Sequence, residues 1–516
     1  MMKKMILLFG CVLLTGALLC GCAEKTGTPS DSTGPQTDSA TEEPAVKLPP
    51  LPPEEIAASL SAEAKSLLIS PVCRQVTLSG KDFAAVQRAF TERGYLPVPS
   101  VPAEGTKLET AVLKNDETVV TLIKTAGDTV HVLWEDADKV SVAPLAKPEN
   151  PQTGDVTMVQ IGIARESEKD NPMIGMCYLY RLGDGSALIL DGGSGNDTCA
   201  ENLYNALKKL DIAKTADGKY RISTWIFSHG HGDHIGTFKM FTANYAGKFE
   251  VGAVMYSFPS AEIGLSGCDA EAFEQTVKDT CPGALRVSPH AGLRYHFGNV
   301  MIHVLYSPEL LYTGEGGIGY FNNTSMILKI ETNKQTVLHM GDAGEQASEE
   351  AWKENDPSAF SADILQITHH GLYTGSQSHQ WKNVKNIYEA ALASYGLLPM
   401  GTRYPGDSRN GRYTVLIDWG AKNGYQVSYV LDRKDNHGYS SLTQSDFDKF
   451  VSGAEKGTAD FDTLFGFDGI NIAENPDGMV TYLSAADTVP MATEFVLGNT
   501  GITVRANTAL SEWLEG

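Results

Sequence analysis

Basic charge is scarce in this chain: 41 Lys and Arg stand against 63 Asp and Glu, a formal charge of -22 over 516 residues. Nucleic-acid binding is driven by phosphate neutralisation and normally shows a basic face, so a chain this acidic is a poor generic DNA binder unless a local patch exists. Cysteine is also sparse, at eight, and the five that follow Cys22 are an odd number, which implies no complete disulfide framework. The sequence has no internal repeat of solenoid period. Its one long apolar run, residues 5–21, is too short and one-sided for a comfortable membrane span. What remains, 42% hydrophobic and 20% charged residues, is ordinary for a globular body, and the length allows roughly two to four domains.

The N-terminus joins Lys3 and Lys4 to that apolar run, the charged and hydrophobic regions of a secretory signal over residues 1–21. It ends in Leu19-Cys20-Gly21-Cys22, which resembles the bacterial lipobox, where cleavage precedes a cysteine that becomes diacylated. The expectation is an extracytoplasmic lipoprotein held on the cell membrane through Cys22. Loss of Lys3 and Lys4 takes the charge from -22 to -24, and anionic head groups repel such a surface, so the lipid must supply the attachment. Residues 22–53, rich in Gly, Ser, Thr, Pro and Glu, read as a disordered tether. Five cysteines then remain, Cys73, Cys177, Cys199, Cys268 and Cys281. They read as free buried thiols without zinc-site spacing, although Cys268 and Cys281 could pair.

Residues 54–147 read as a small α+β domain, with helices expected over 57–68 and 81–93 and strands over 110–113, 119–123 and 130–133. It carries no recognised chemistry. After a linker at 148–154, apolar strands alternate with helical stretches such as 199–210 and 270–280, the pattern of a layered α/β domain over 154–432. Past residue 432 the pattern weakens into Gly, Asp and Asn turns, read as a C-terminal appendage over 433–516.

The decisive segment is Phe227-Ser228-His229-Gly230-His231-Gly232-Asp233-His234. An apolar strand ends, and three histidines and an aspartate follow, separated by glycines that let the backbone fold around an ion. On an extended strand end His229 and His231 point the same way and can share one metal. Asp233 and His234, once the chain turns into a helix, can face a second. Imidazole with carboxylate is the ligand set of zinc-type hydrolytic sites.

His-x-His-x-Asp-His after a strand resembles the signature of the metallo-β-lactamase superfamily, and the resemblance covers about residues 154–432. It implies an αββα sandwich with the site at the edge between two mixed sheets. Further motifs appear in the family's order. Leu190-Asp191-Gly192-Gly193 matches the first, whose aspartate supports the metal loop from behind. His339-Met340-Gly341-Asp342 matches the fourth, whose aspartate bridges both ions, and Thr368-His369-His370-Gly371 matches the fifth, which supplies a histidine to the second ion. Asn322-Asn323-Thr324-Ser325 together with His369-His370-Gly371 resembles the hydrolase domain of bacterial competence proteins and surface phosphorylcholine esterases, which are phosphodiester-type enzymes. The third family motif, a histidine after a mid-domain strand, is missing, because Val254-Met255-Tyr256-Ser257-Phe258 stands in its place. Leu372 replaces the serine that often follows the glycine in that subgroup.

The resemblance implies a dinuclear zinc-type centre that activates water. His229, His231 and Asp342 would hold one ion, and Asp233, His234, Asp342 and His370 the other. Sequence does not separate His369 from His370; the working assignment gives His370 to metal and His369 to proton transfer or phosphate contact. Asp191 orients a ligand, and Asn323 is a candidate for holding a substrate or ligand oxygen. His131, His290, His296, His303, His339, His379 and His437 are read as surface or hydrogen-bonded core groups, and Tyr256, Tyr295, Tyr373 and Trp381 as packing. The expected reaction is hydrolysis of a small-molecule or cell-envelope phosphoester. The alternatives are a lactam, lactone or thioester on the same fold, or a lipoprotein that captures a solute without catalysis. No protein partner follows from the sequence.

Overall fold

Three sheets account for the chain in a computed structural model that describes residues 51–148, 153–162, 175–312, 317–332, 334–371, 382–399, 426–427, 480–486 and 489–516. The expected signal, lipidated Cys22 and the expected tether up to residue 50, as well as Leu372, Tyr373, His379, Trp381 and His437, lie outside these residues, and Pro53 at the tether's expected end opens a helix.

The N-terminal part is a six-stranded antiparallel sheet. In spatial order its strands are Leu67–Ser70, Cys73–Ser79, Thr129–Asp136, Thr118–Lys124, Glu109–Lys114 and Leu96–Pro97. Helices Pro53–Leu60 and Phe83–Thr91 bury Ile56, Val86 and Phe90 against one face with Val76, Val120 and Val132. The first helix is shorter than its sequence pattern. Ser61 is extended, and Leu67–Ser70 is drawn into a strand beside Cys73–Ser79, so pairing overrides local helical preference.

The central domain has two mixed sheets. One runs Leu285–Val287, Phe249–Met255, Tyr220–Ile226, Ala187–Asp191, Cys177–Arg181, Val156–Ile161 and Val489–Gly498, with Ala485–Ala486 and Gly501–Ala509 both pairing to Val489–Gly498. The other runs Arg294–Phe297, Val300–Tyr306, Ile327–Thr332, Gln335–His339, Ile364–Gln366, Tyr395–Leu398, Val480–Leu483 and Gln426–Val427. Their facing sides bury Met158, Tyr178, Leu190, Ile226, Ile302, Leu328, Val337 and Phe495. Helices Asp197–Lys209, Gly232–Asn244 and Ala270–Thr280 cover the outer face of the first sheet, and Glu345–Glu354 and Lys382–Ala391 that of the second. The result is an αββα sandwich. Phe227, Phe238 and Phe241 are fully buried under the metal motif, each worth roughly 1.5–3 kcal/mol in burial, which fixes the strand-to-helix turn between them.

The boundary expected at residue 433 meets a different arrangement. Val480–Leu483 pairs in parallel with Tyr395–Leu398, and Val489–Gly498 pairs antiparallel with Val156–Ile161. Strands of the expected appendage therefore complete both central sheets. Ala492, Phe495, Val496 and Leu497 are buried there, without the strict alternation that would mark a strand in the sequence.

Candidate metal centre

The site lies where strands of both sheets end. Ala187–Asp191 and Tyr220–Ile226 run parallel in one sheet, Gln335–His339 and Ile364–Gln366 in the other, and their carboxyl ends deliver Asp191, the 229–234 loop, Asp342 and the 368–370 turn to one place. Such ends are where open α/β sheets collect ligands.

Backbone strain concentrates here. Asp191, His369 and His370 have φ of 57°, 46° and 54°, and Gly341 has 53°. Non-glycine residues adopt this region only where surrounding contacts hold them. His369 N donates to Gly341 O at 3.0 Å, Thr368 Oγ1 to Ala343 O at 2.7 Å, and Thr368 N to Tyr388 Oη at 2.9 Å. At Gly341 a side chain would also meet Ser228 Cβ at 2.9 Å, and at Gly230 it would meet Cys268 Cβ at 2.5 Å. Both positions require glycine for close approach.

Asp191 organises the loop. Its Oδ1 accepts from Ser228 N at 2.7 Å, and its Oδ2 accepts from Ser228 Oγ at 2.8 Å and His234 Nδ1 at 2.9 Å. That bond puts a proton on His234 Nδ1 and turns Nε2 toward Asp342. His370 is fixed the same way, its Nδ1 donating to Pro399 O at 2.8 Å. The two Nε2 atoms face Asp342 Oδ1, at 3.2 Å from His234 and 3.6 Å from His370. His370 Nε2 also stands 3.2 Å from Asp233 Oδ2. On the other side, His229 Nε2 is 2.9 Å from His231 Nδ1 and 3.6 Å from Asp342 Oδ2.

Two groups of ligand atoms result, His229, His231 and Asp342, and Asp233, His234 and His370. Within each group the ligand atoms lie no more than 4.8 Å apart. His234 Nε2, His370 Nε2 and Asp342 Oδ1 are buried and have no hydrogen-bond partner. Buried polar atoms are normally paired, so three converging ligand-type atoms without hydrogen-bond partners fit divalent cations. Electrostatics agrees. Burial pushes His229 well below the usual imidazole range, aided by His234. Burial works against a proton on His234 too, but Asp342 and Asp191 outweigh it and hold that ring well above its usual range. Burial raises Asp342, yet the surrounding His234 and His370 bring its carboxyl well below the ordinary carboxylate range. The pull these carboxylates exert on a proton is the pull they would exert on a cation.

His369 sits at the rim, its Nε2 3.8 Å from Asp342 Oδ2, outside both ligand groups. Asn323 is placed differently from the expectation. Its Oδ1 accepts from Ala347 N at 3.2 Å and its Nδ2 donates to Gln346 Oε1 at 3.4 Å, so both ends of the amide hold the start of helix Glu345–Glu354 rather than offering themselves to a substrate. No histidine follows strand Phe249–Met255; Tyr256 is buried with its hydroxyl donating to Glu274 Oε2 at 2.5 Å. The sequence reading missed Ser228, which its place beside His229 could have flagged, and Phe321, whose ring lies 4.7 Å from that of His231 and had no signal. His131, His303 and His339 are hydrogen-bonded core groups, and His296 is partly buried.

Residues 170–247, which contain Asp191 and the His229–His234 loop, match the model of the metallo-beta-lactamase superfamily. No curated protein matches the chain. Among solved structures, the metallo-beta-lactamase fold protein YhfI from Bacillus subtilis is similar at 16% identity, covering 47% of this chain and 85% of that one, with a TM-score of 0.31. A diphosphatase of the PhnP family is similar at 11% identity over 47% and 85% of the two chains, with a TM-score of 0.28. A flavo di-iron protein variant from Thermotoga maritima matches at 13% identity over 49% and 50%, with a TM-score of 0.19. The αββα layers, the sheet-edge site and the matched segment together identify the central domain as a metallo-β-lactamase fold.

Proposed function

We propose that this chain is an extracytoplasmic, lipid-anchored, metal-dependent hydrolase that cleaves a phosphoester with a dinuclear zinc-type centre. The observation that carries the reading is the meeting of the two ligand groups at the two oxygens of Asp342, with imidazole nitrogens facing them. His229, His231 and Asp342 would hold one cation and Asp233, His234, Asp342 and His370 the other. When bound, the ions supply Lewis acidity and a water acidic enough to attack near neutral pH. Asp191 keeps the His234 ring oriented. His369, at the rim, is placed to exchange a proton or contact the substrate. Phosphoester chemistry is supported by the absence of the third-motif histidine, as in the phosphodiester-cleaving relatives, and by the charge that two cations bring to a phosphoryl group. The acidic surface favours small or zwitterionic phosphodiesters over polyanionic DNA.

The test compares kcat/KM for a chromogenic phosphodiester, a phosphocholine ester, DNA, a cephalosporin and a thioester on metal-loaded wild type and His231→Ala. Phosphoesters should be cleaved fastest and the variant should be inactive. A cephalosporin or thioester cleaved far faster than every phosphoester would overturn the substrate class. Elemental analysis should show that Asp342→Ala loses both ions while His369→Ala keeps them; full loading with a single ion would overturn the dinuclear centre.

A further inference from the structure

A second cluster of ligand-type side chains, sharing no residue with this centre, lies between the six-stranded sheet and the central domain. Cys73 and Glu135 are direct partners across strands Cys73–Ser79 and Thr129–Asp136, so their side chains leave the sheet side by side. His290 comes from the turn ahead of strand Arg294–Phe297, held by its N–H donating to Tyr295 Oη at 3.0 Å. All three are buried, at 3%, 4% and 5% exposure, and offer a thiol, a carboxylate oxygen and an imidazole nitrogen within 4.8 Å of one another.

The charges around them are out of balance. Glu309 is fully buried on the far side of the His290 ring, its Oε1 3.7 Å from Nδ1 and accepting from Ala291 N at 2.8 Å. Two buried carboxylates thus share one imidazole. The nearby guanidinium of Arg286 donates from Nε to Glu274 at 3.1 Å and from Nη1 to Val287 O at 2.6 Å and stacks 3.5 Å over the Tyr256 ring, while its Nη2 is buried without a hydrogen-bond partner. Glu135 Oε1, Glu309 Oε2 and His290 Nδ1 are buried without hydrogen-bond partners. A buried carboxylate oxygen left so is costly, and a divalent cation would give the Glu135 carboxylate a partner.

We propose that Cys73, Glu135 and His290 form a third metal site, a structural zinc site that fastens the six-stranded sheet to the central domain, with Glu309 orienting the His290 ring. A thiolate, an imidazole and a carboxylate are zinc ligands. Tetrahedral coordination at ordinary zinc distances sets ligand atoms about 3.3–3.6 Å apart, so a small closure of the cluster suffices. His290 Nε2 is 3.3 Å from Glu135 Oε2, already at that spacing. Glu309 beyond Nδ1 occupies the place of the carboxylate that orients a zinc-bound histidine. Binding replaces the Cys73 thiol proton, and any second proton on His290, by the cation; both protons leave to solvent.

The experiment uses full-length protein loaded with Zn2+ or Co2+. Zinc-loaded wild type should carry close to three ions per chain, Asp342→Ala one, and Cys73→Ser two. Because the dinuclear centre has no sulfur ligand, cobalt loading should give a near-ultraviolet thiolate-to-cobalt band that survives Asp342→Ala and Cys268→Ser and is lost in Cys73→Ser. Zinc should raise the Tm of Asp342→Ala but not of the Asp342→Ala, Cys73→Ser pair. Absence of the band from folded, cobalt-loaded wild type overturns the proposal even if Cys73→Ser does not fold, as does a band that persists in Cys73→Ser.

Discussion

The carboxylate of Asp191 bonds His234 Nδ1 at 2.9 Å, on the side of the ring opposite Asp342. One residue that belongs to neither ligand group thus sets which nitrogen of His234 is turned toward Asp342. Asp191→Asn keeps the size but turns one acceptor into a donor, against Ser228 Oγ and His234. Metal affinity is expected to fall by about ten- to a hundredfold, read by competition with a zinc chelator. Unchanged affinity would remove Asp191 from this role.

Gly341 is the second pressure point. With φ at 53° and a would-be Cβ 2.9 Å from Ser228 Cβ, Gly341→Ala is strained twice over. We expect a loss of roughly 1–3 kcal/mol in stability, measured by urea unfolding, together with weaker metal binding because Asp342 follows directly. A variant as stable as wild type would show that the loop relaxes freely.

Acid should act through His131. Its Nδ1 accepts from Gln75 Nε2 at 2.8 Å, and burial pushes the ring down to about 4. The folded state then refuses a proton that the unfolded chain takes up near pH 6.5, so stability falls as pH drops from about 6.5 to 4 and is insensitive to this group above that window. The linked loss is on the order of 3 kcal/mol. Unfolding free energies at several pH values should slope less steeply through that window in His131→Gln than in wild type. Parallel slopes would refute the assignment.

Attachment rests on Leu19-Cys20-Gly21-Cys22. Cys22→Ala should move the protein from the membrane to the soluble extracytoplasmic fraction, and mass spectrometry of wild type should find a diacylated cysteine. Wild type without lipid would rule the anchor out.

The αββα layering and the ligand-bearing motifs were legible because each motif is local: a strand, a tight turn and its polar residues within a few positions. His229, His231, Asp233 and His234 could be read from one strand end, and Asp342 and His370 each from their own. Where contacts join distant segments the sequence is silent. Nothing near Asn323 announces that Ala347 N and Gln346 will take its amide, so it read as a substrate contact. Cys73, Glu135 and His290 have no spacing in common, and only sheet register and domain packing bring them together. Strand Val489–Gly498 was hidden because its role depends on a partner, Val156–Ile161, from the other end of the domain.

That last pairing bears on the order of synthesis. As the chain emerges, strand Val156–Ile161 and the loop carrying His229 and His231 are complete long before Val489–Gly498 exists. Until then Val156–Ile161 has an open edge beside Cys177–Arg181, with free N–H and C=O groups that can recruit any extended strand. A nascent chain stalled or cleaved before residue 489 would therefore carry much of its metal chemistry on a sheet prone to self-association, and premature termination should yield aggregates rather than a smaller working hydrolase.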